Sequence, residues 1–170
     1  MKKEIEQIEG FPPIVGHTPK VLILGSFPGE ESLRQKQYYA HSRNLFWEIM
    51  EQVCGAGRDL DYEDRLNILR NSNIALWDVL KTCSRQGSLD NNIRNGFYEV
   101  NDFKNFLMEH DIKAICFNGQ KAGELFQRIP ATTLPELPVL SVLPSTSPAN
   151  AGIPKDIKIS LWLLIKKHLK

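Results

Sequence analysis

The chain has 170 residues, a length that suits one domain with a sizeable hydrophobic core. Hydrophobic residues make up 42% and charged residues 24%, which is typical of a soluble protein, and no apolar run is long enough to span a bilayer. The net charge of +1 neither favours nor excludes a nucleic-acid partner, because a local basic patch can coexist with neutral totals.

In chain order, short apolar runs predict buried β-strands, and helical patterns separate them. The strands are expected at residues 21–24, 74–77, 114–117 and 139–143, and the helices near residues 45–53, 66–70, 103–107, 120–126 and 157–169. Strands that alternate with helices indicate a parallel sheet covered on both faces. The sequence therefore predicts α/β architecture: a three-layer α/β/α sandwich with a short, mainly parallel central sheet, forming a single domain over residues 1–170.

The cysteines and the N-terminal segment bear on cofactors and compartment. The three cysteines lie far apart and form no C-x-x-C pair, so we expect no zinc site, no iron–sulfur cluster and no other cofactor. A scattered odd set is typical of a reduced compartment, and residues 1–13 lack the apolar stretch of a signal peptide. We expect a cytoplasmic monomer that does not associate with membranes.

Polar or glycine-containing sequence follows each predicted strand. A parallel sheet brings the carboxyl ends of its strands to one edge, where ligands bind in open α/β sheets. These loops are therefore expected to form one cleft. The four segments are Gly25-Ser26-Phe27-Pro28-Gly29, Asp78 with residues 81–92, Asn118-Gly119-Gln120-Lys121, and residues 144–150.

Three segments, in this order and spacing, resemble motifs of the uracil-DNA glycosylase superfamily. They are GSFPG at residues 25–29, YAHSRNLFW at 39–47 and LPSTS at 143–147. Within the superfamily the chain looks most like the DNA-deoxyinosine (hypoxanthine-DNA) glycosylase branch, a choice strengthened by ALWDVL at 75–80 and by Cys83, Arg85, GSLD at 87–90 and Ile93. The resemblance covers roughly residues 20–149. It implies a monofunctional enzyme of base excision repair that flips out a deaminated base of DNA, most often hypoxanthine, and hydrolyses its N-glycosidic bond.

Two substitutions argue against plain uracil excision. Mismatch-specific uracil members of the superfamily place a water-activating asparagine where this chain has Phe27. The main uracil enzymes begin their second motif with a histidine, where this chain has Leu143. The resemblance instead implies that Asn44 acts in catalysis and that Asn118 acts at the base.

The resemblance assigns further residues to the site, and several of the assigned residues also have a structural interpretation. The resemblance implies base or DNA contacts for Gly25, Ser26, Phe27, Pro28 and Gly29, base stacking for Tyr39, and phosphate contacts for Ser145, Thr146 and Ser147. The alternatives are a helix N-cap for each of Asn44 and Asn118, a core position for Phe27 and Tyr39, and a plain surface turn for residues 145–147. Asp78 is a further candidate base, but a strand-end aspartate that caps a loop is the preferred interpretation.

Other functions stay open at this point. One alternative is a uracil- or mismatch-directed DNA glycosylase, and another is a catalytically weak DNA-binding relative. A nucleotide-binding module on a Rossmann-like sheet is a third, although the spacing of Gly25 and Gly29 matches neither G-x-G-x-x-G nor a P-loop.

Overall fold

The computed structural model describes residues 6–84 and 97–170. Arg85, residues 87–90 and Ile93, which support the choice of branch above, lie outside this described part. The strands are β1 (Ile8–Glu9), β2 (Val21–Gly25), β3 (Ile74–Asp78), β4 (Leu80–Cys83), β5 (Tyr98–Val100), β6 (Ala114–Asn118) and β7 (Val139–Leu143). The helices are α1 (Glu30–Gln35), α2 (Phe46–Cys54), α3 (Tyr62–Asn71), α4 (Phe103–Glu109), α5 (Gln120–Gln127) and α6 (Lys155–Trp162), with 3₁₀ turns at Ala131–Thr133 and Leu163–His168.

The central sheet is parallel and has the strand order β3-β2-β6-β7. Its register places Gly25 opposite Asp78, and Asn118 opposite Leu143. Gly25, Asp78 and Asn118 are each the last residue of their strand. The polar loops that follow the strands therefore leave the sheet from one edge.

Alternation along the strands produces the layers on either side of the sheet. Successive side chains of a strand point to opposite faces. In β2, Val21 and Ile23 pack into the same buried cluster as Trp47 of α2. Leu22 and Leu24 belong to a second cluster on the other face, together with residues of α4 and α5. Both faces of β2, β3 and β6 are thus covered, which explains why these strands are largely apolar, whereas β7 is exposed except at Leu143.

The predicted fold class is confirmed: the sheet is central, parallel and flanked by helices, and each predicted strand and helix has its counterpart. A second, antiparallel sheet of order β1-β4-β5 was not expected. Residues 80–83 form one of its strands, so the interpretation of Lys81 as the start of a loop was wrong. In β4 only the two end residues are buried, and a strand of four residues carries too short a pattern to be recognised.

The C-terminal segment also differs in detail from the expectation of one long helix. The α-helix ends at Trp162, and residues 163–168 continue as a 3₁₀ helix. Within the described part of the chain, no helix is both long enough and apolar enough to cross a membrane.

Candidate active site

The loops at the carboxyl edge of the central sheet enclose one cleft of about 760 Å³. Each site residue named from the sequence lines this cleft. They are Gly25, Ser26, Phe27, Pro28, Gly29, Tyr39, Asn44, Asn118, Ser145, Thr146 and Ser147. The fold thus brings together segments more than 100 residues apart in the chain, while the chemical role of each residue stays a prediction.

Asn118 is bound on both atoms of its amide by Thr146. Its Nδ2 donates to Thr146 Oγ1, and its Oδ1 accepts from the Thr146 backbone N–H, each at 2.9 Å. Asn118 does not cap the following helix, because α5 has Gly119 at its N-cap and no side-chain cap bond. A backbone N–H can only donate, so it fixes the orientation of the amide. One Nδ2 hydrogen and one lone pair of Oδ1 remain for a ligand.

Thr146 also connects this pair to the segment that carries Asn44. Its backbone carbonyl accepts from the N–H of Leu45 at 3.0 Å. Thr146 is 1% exposed, so its hydroxyl faces Asn118 and not the surface. Asn118 and the residue after Asn44 are therefore held through a single intermediate residue.

The neighbouring serines make the same loop rigid. Ser145 Oγ accepts from the N–H of Ser147, and Ser147 Oγ accepts from the N–H of Ala149, each at 3.2 Å. The start of the loop is fixed by Trp162 Nε1, which donates to the Pro144 carbonyl at 2.9 Å. These bonds support the surface-turn interpretation, and both serines remain half-buried at the cleft.

Asn44 sits in a tightly bonded turn at the start of α2. Its Oδ1 accepts from the Phe46 N–H at 2.9 Å, an amide that the helix itself leaves free. The N-cap of α2 is Leu45, so Asn44 precedes the cap position and the N-cap alternative was wrong for it. Arg58 Nη2 donates to the carbonyls of Asn44 at 2.7 Å and of His41 at 2.9 Å. Oδ1 keeps a second lone pair, which can accept a hydrogen bond from a water.

Tyr39 combines an unusual backbone with a stacked ring. Its φ is 52°, which is uncommon for a residue with a bulky side chain. Its ring lies 4.1 Å from that of Phe46 with an interplanar angle of 23°. One face of Tyr39 is therefore occupied by the core, and a flipped base would have to use the other face or the ring edge.

Gly25 has no room for a side chain, because two polar groups lie against it. A Cβ at this position would be 2.5 Å from Asp78 Oδ1 and 2.8 Å from Tyr39 Oη. The protein's own side chains therefore take the space directly at this glycine. Further along the loop, Phe27 is 6% exposed and belongs to the core cluster beside α4 and α5.

Asp78, for which the sequence favours a loop cap over a catalytic base, is buried at the cleft. It is 4% exposed, lines the cleft and lies beside Gly25. Burial, and after it the charge of Asp78, raises the pKa of Tyr38, so that phenol stays neutral and donates to the Pro12 carbonyl at 2.8 Å. The available signal was its position at the end of a strand beside the first glycine motif.

Metal binding has no support in the described residues. Within residues 6–84 and 97–170, no group of three His, Cys, Asp or Glu side chains could hold a metal ion.

A model of the uracil DNA glycosylase superfamily matches residues 12–162. The chain belongs to the uracil DNA glycosylase superfamily. It is similar to a hypoxanthine DNA glycosylase of Methanosarcina acetivorans, with 39% identity over 164 residues that cover 94% of this chain and 98% of the relative. A hypoxanthine DNA glycosylase of Methanosarcina barkeri is 39% identical over 118 residues, which cover 68% of this chain and 73% of the relative.

Solved structures agree with this membership. A Methanosarcina acetivorans protein, determined by solution NMR as a candidate uracil DNA glycosylase, matches with a TM-score of 0.78 and 36% identity. The match covers 96% of this chain and 99% of that one. The family resemblance read from the three motifs is therefore confirmed.

Proposed function

We propose that this protein is a monofunctional DNA glycosylase that excises hypoxanthine from deoxyinosine-containing DNA. The observation that carries this proposal is that Asn44 and Asn118 line one cleft, where Thr146 bonds both to Asn118 and to Leu45, the residue after Asn44. It is supported by the 39% identity to proteins named hypoxanthine DNA glycosylase. On this proposal the protein acts as a cytoplasmic monomer, and its partner is DNA.

The reaction begins with extrusion of the damaged nucleotide, because the glycosidic bond is out of reach inside a duplex. The base then enters the cleft beside Tyr39, with the free hydrogen of Asn118 Nδ2 as a donor to a carbonyl or ring nitrogen. Hypoxanthine offers O6 and N7 as such acceptors. The orientation that Thr146 imposes on Asn118 makes this donor a fixed feature of the site.

Asn44 positions the nucleophile. The C1′–N9 bond breaks with its electron pair leaving on the base, and the sugar takes on oxocarbenium character. A water held by Oδ1 of Asn44 bonds to C1′, and one of its protons passes to the departing base or to solvent. Because Phe46 and Arg58 fix this turn, the asparagine is held in place before the substrate arrives.

Uracil is the second candidate substrate, and two side chains disfavour it. Leu143 stands where the main uracil enzymes have a base-stabilising histidine, and it packs into the core cluster on the α2 side of the sheet. Phe27 stands where mismatch-specific members have their asparagine, and it has no group that could activate water. Neither position offers the polar chemistry of those enzymes.

The test is a cleavage panel on matched duplexes that carry hypoxanthine, uracil, xanthine or a mismatched thymine. Hypoxanthine should be released fastest, and strand scission should require a later alkali step because the enzyme leaves an intact abasic site. Faster release of uracil would select the alternative. Specific binding of the deoxyinosine duplex without release of any base would indicate a catalytically weak relative.

A further inference from the structure

Two buried polar side chains lie on either side of the central strand at the cleft floor. β2 lies between β3 and β6, so the last residues of those strands, Asp78 and Asn118, flank the end of β2 at Gly25. Asp78 is 4% exposed and Asn118 is 9% exposed, yet both line the cleft. A planar base that enters the cleft between these two side chains would meet one of them at each side.

The two side chains have opposite and fixed hydrogen-bonding character. The Thr146 N–H holds Asn118 Oδ1, so the part of the amide left for a ligand includes a donor hydrogen on Nδ2. The two side-chain oxygens of Asp78 are hydrogen-bond acceptors, and together they can accept several hydrogen bonds at once. The floor thus presents an acceptor on the β3 side and a donor on the β6 side.

The position of Asp78 is also fixed. Its Oδ1 and the hydroxyl of Tyr39 both lie against Gly25. Its backbone carbonyl accepts from Asn101 Nδ2 at 2.8 Å, and the next residue, Val79, donates to the Gly25 carbonyl at 2.8 Å. These contacts fix the backbone of Asp78 and place its side chain at the cleft floor beside Gly25, where it would lie against one edge of a bound base.

Hypoxanthine and adenine differ in the two groups that such a pair would contact. Hypoxanthine has an acceptor at O6 next to a donor at N1–H. Adenine has a donor at its 6-amino group next to an acceptor at N1. A donor from Asn118 and an acceptor from Asp78 complement the first base and oppose the second at both positions.

We propose that Asp78 is a specificity-determining residue whose carboxylate accepts from N1–H of the flipped base and rejects adenine. This inference rests on the proposed function, since it assigns the partner of one edge of hypoxanthine. A site built to bond a polar group of its substrate rejects analogues that lack the group by large factors, because its own buried groups are left unpaired.

The experiment measures affinity with uncleavable duplexes, so that slow chemistry does not hide the result. The probes are matched duplexes with 2′-fluoro-2′-deoxyinosine or 2′-fluoro-2′-deoxyadenosine at one position. The wild-type protein should prefer the inosine duplex, and Asp78→Asn should reduce this preference at least tenfold. Asp111→Asn is the matched control, because Asp111 is exposed and precedes β6, at the opposite edge of the sheet. It should keep the wild-type preference.

A second measurement does not depend on the folding of the variant. The wild-type protein is given a duplex with N1-methyl-2′-deoxyinosine, which lacks the N1–H donor and keeps O6. Binding should fall to about the level of the adenosine duplex. Binding as tight as that of unmodified deoxyinosine would overturn the inference, as would an unchanged preference in folded Asp78→Asn.

Failure of the proposed function has a different signature. A wild-type protein that releases no hypoxanthine from a deoxyinosine duplex would overturn both proposals. A wild-type protein that releases hypoxanthine, together with an Asp78→Asn protein that is equally selective, would overturn only the role of Asp78.

Discussion

Asn118, the last residue of β6, forms two hydrogen bonds with Thr146 in the loop after β7. The Asn118 side-chain amide bonds both the hydroxyl and the backbone N–H of Thr146. Both hydrogen bonds are 2.9 Å long and both residues are buried. A buried two-bond pair of this kind fixes a loop and an amide orientation together. On the proposed function, the loop after β7 therefore positions the amide that would contact the base.

Replacing Thr146 by valine should weaken both the fold and the reaction. The change keeps the shape and the backbone N–H but leaves a buried hydrogen of Asn118 Nδ2 without its acceptor. Such a loss costs about 1–3 kcal/mol, which urea unfolding can measure. Thr132→Val is a suitable control, because Thr132 is exposed, and its unfolding free energy should change little. An unchanged unfolding free energy for Thr146→Val would show that the hydroxyl bond contributes nothing.

The Asn118→Ala variant should change the order of preferred bases as well as the rate. The substitution removes the donor assigned to the base, so the release rate should fall more for bases that depend on this hydrogen bond than for bases that do not. The measurement is single-turnover release of hypoxanthine, xanthine and uracil, with circular dichroism to check folding. An equal fall in the release rate of all three bases would show that Asn118 only supports the loop and does not recognise the base.

Arg58 should act as a positioning residue that holds the turn containing Asn44. Its Nη2 donates to the carbonyls of both His41 and Asn44, so Arg58→Ala should loosen the turn and lower the single-turnover rate severalfold. Arg58→Lys tests the cause, because lysine keeps the charge but lacks the planar fork. If Arg58 acts by positioning, lysine should not restore the rate. Full restoration by lysine would indicate a charge effect on DNA.

Gly119→Ala should destabilise the protein by about 1–3 kcal/mol, because its backbone lies in a region that is essentially restricted to glycine. Its φ is 92° and its ψ is 164°, and an added Cβ would meet Ser145 Cβ at 3.0 Å. Gly152→Ala is the control, since nothing lies within 4 Å of its added Cβ. Thermal unfolding should separate the two variants, and equal stability would refute the strain argument.

Binding to DNA should weaken steeply with salt if the rim of the cleft contacts phosphates. Lys121 of α5 and the two serines of the loop after β7, Ser145 and Ser147, all line the cleft. Each neutralised phosphate adds about 0.9 to the slope of log affinity against log salt for duplex DNA. Lys121→Gln should therefore reduce this slope by about one, and an unchanged slope would remove Lys121 from the interface.

The central sheet could be predicted from the sequence because β2, β3 and β6 are buried on both faces, and the largely exposed β7 is still a short, mostly apolar run. Such strands give uninterrupted apolar runs like residues 21–24, and the polar residue that ends each run marks the edge of the cleft. The small sheet could not be predicted, since β1 has two residues and β5 has three, mostly exposed ones. Strands this short form because neighbouring strands pair with them, and their own residues show no recognisable pattern of apolar and polar positions.

The sequence predicted which loops form the site, but not the hydrogen bonds between them. The motifs identified Asn44 and Asn118 as site residues. The hydrogen bonds that Thr146 makes with Asn118 could not be predicted, because the two residues lie 28 positions apart in the chain. Asp78 was given a structural interpretation because burial of a strand-end carboxylate is decided by its neighbours. Its contact with Gly25 exists only once β2 and β3 are paired.

The most direct test of the account is single-turnover release of free hypoxanthine from a deoxyinosine duplex by the wild-type protein and by Asn44→Ala. The wild-type protein should release one equivalent of base and leave an intact abasic strand. Asn44→Ala should remain folded and bind the duplex, but its rate should fall on the order of 10²-fold or more, as when one positioned polar group is removed from an active site. Wild-type activity in a well-folded Asn44→Ala protein would contradict the assignment of the water-positioning role to this residue.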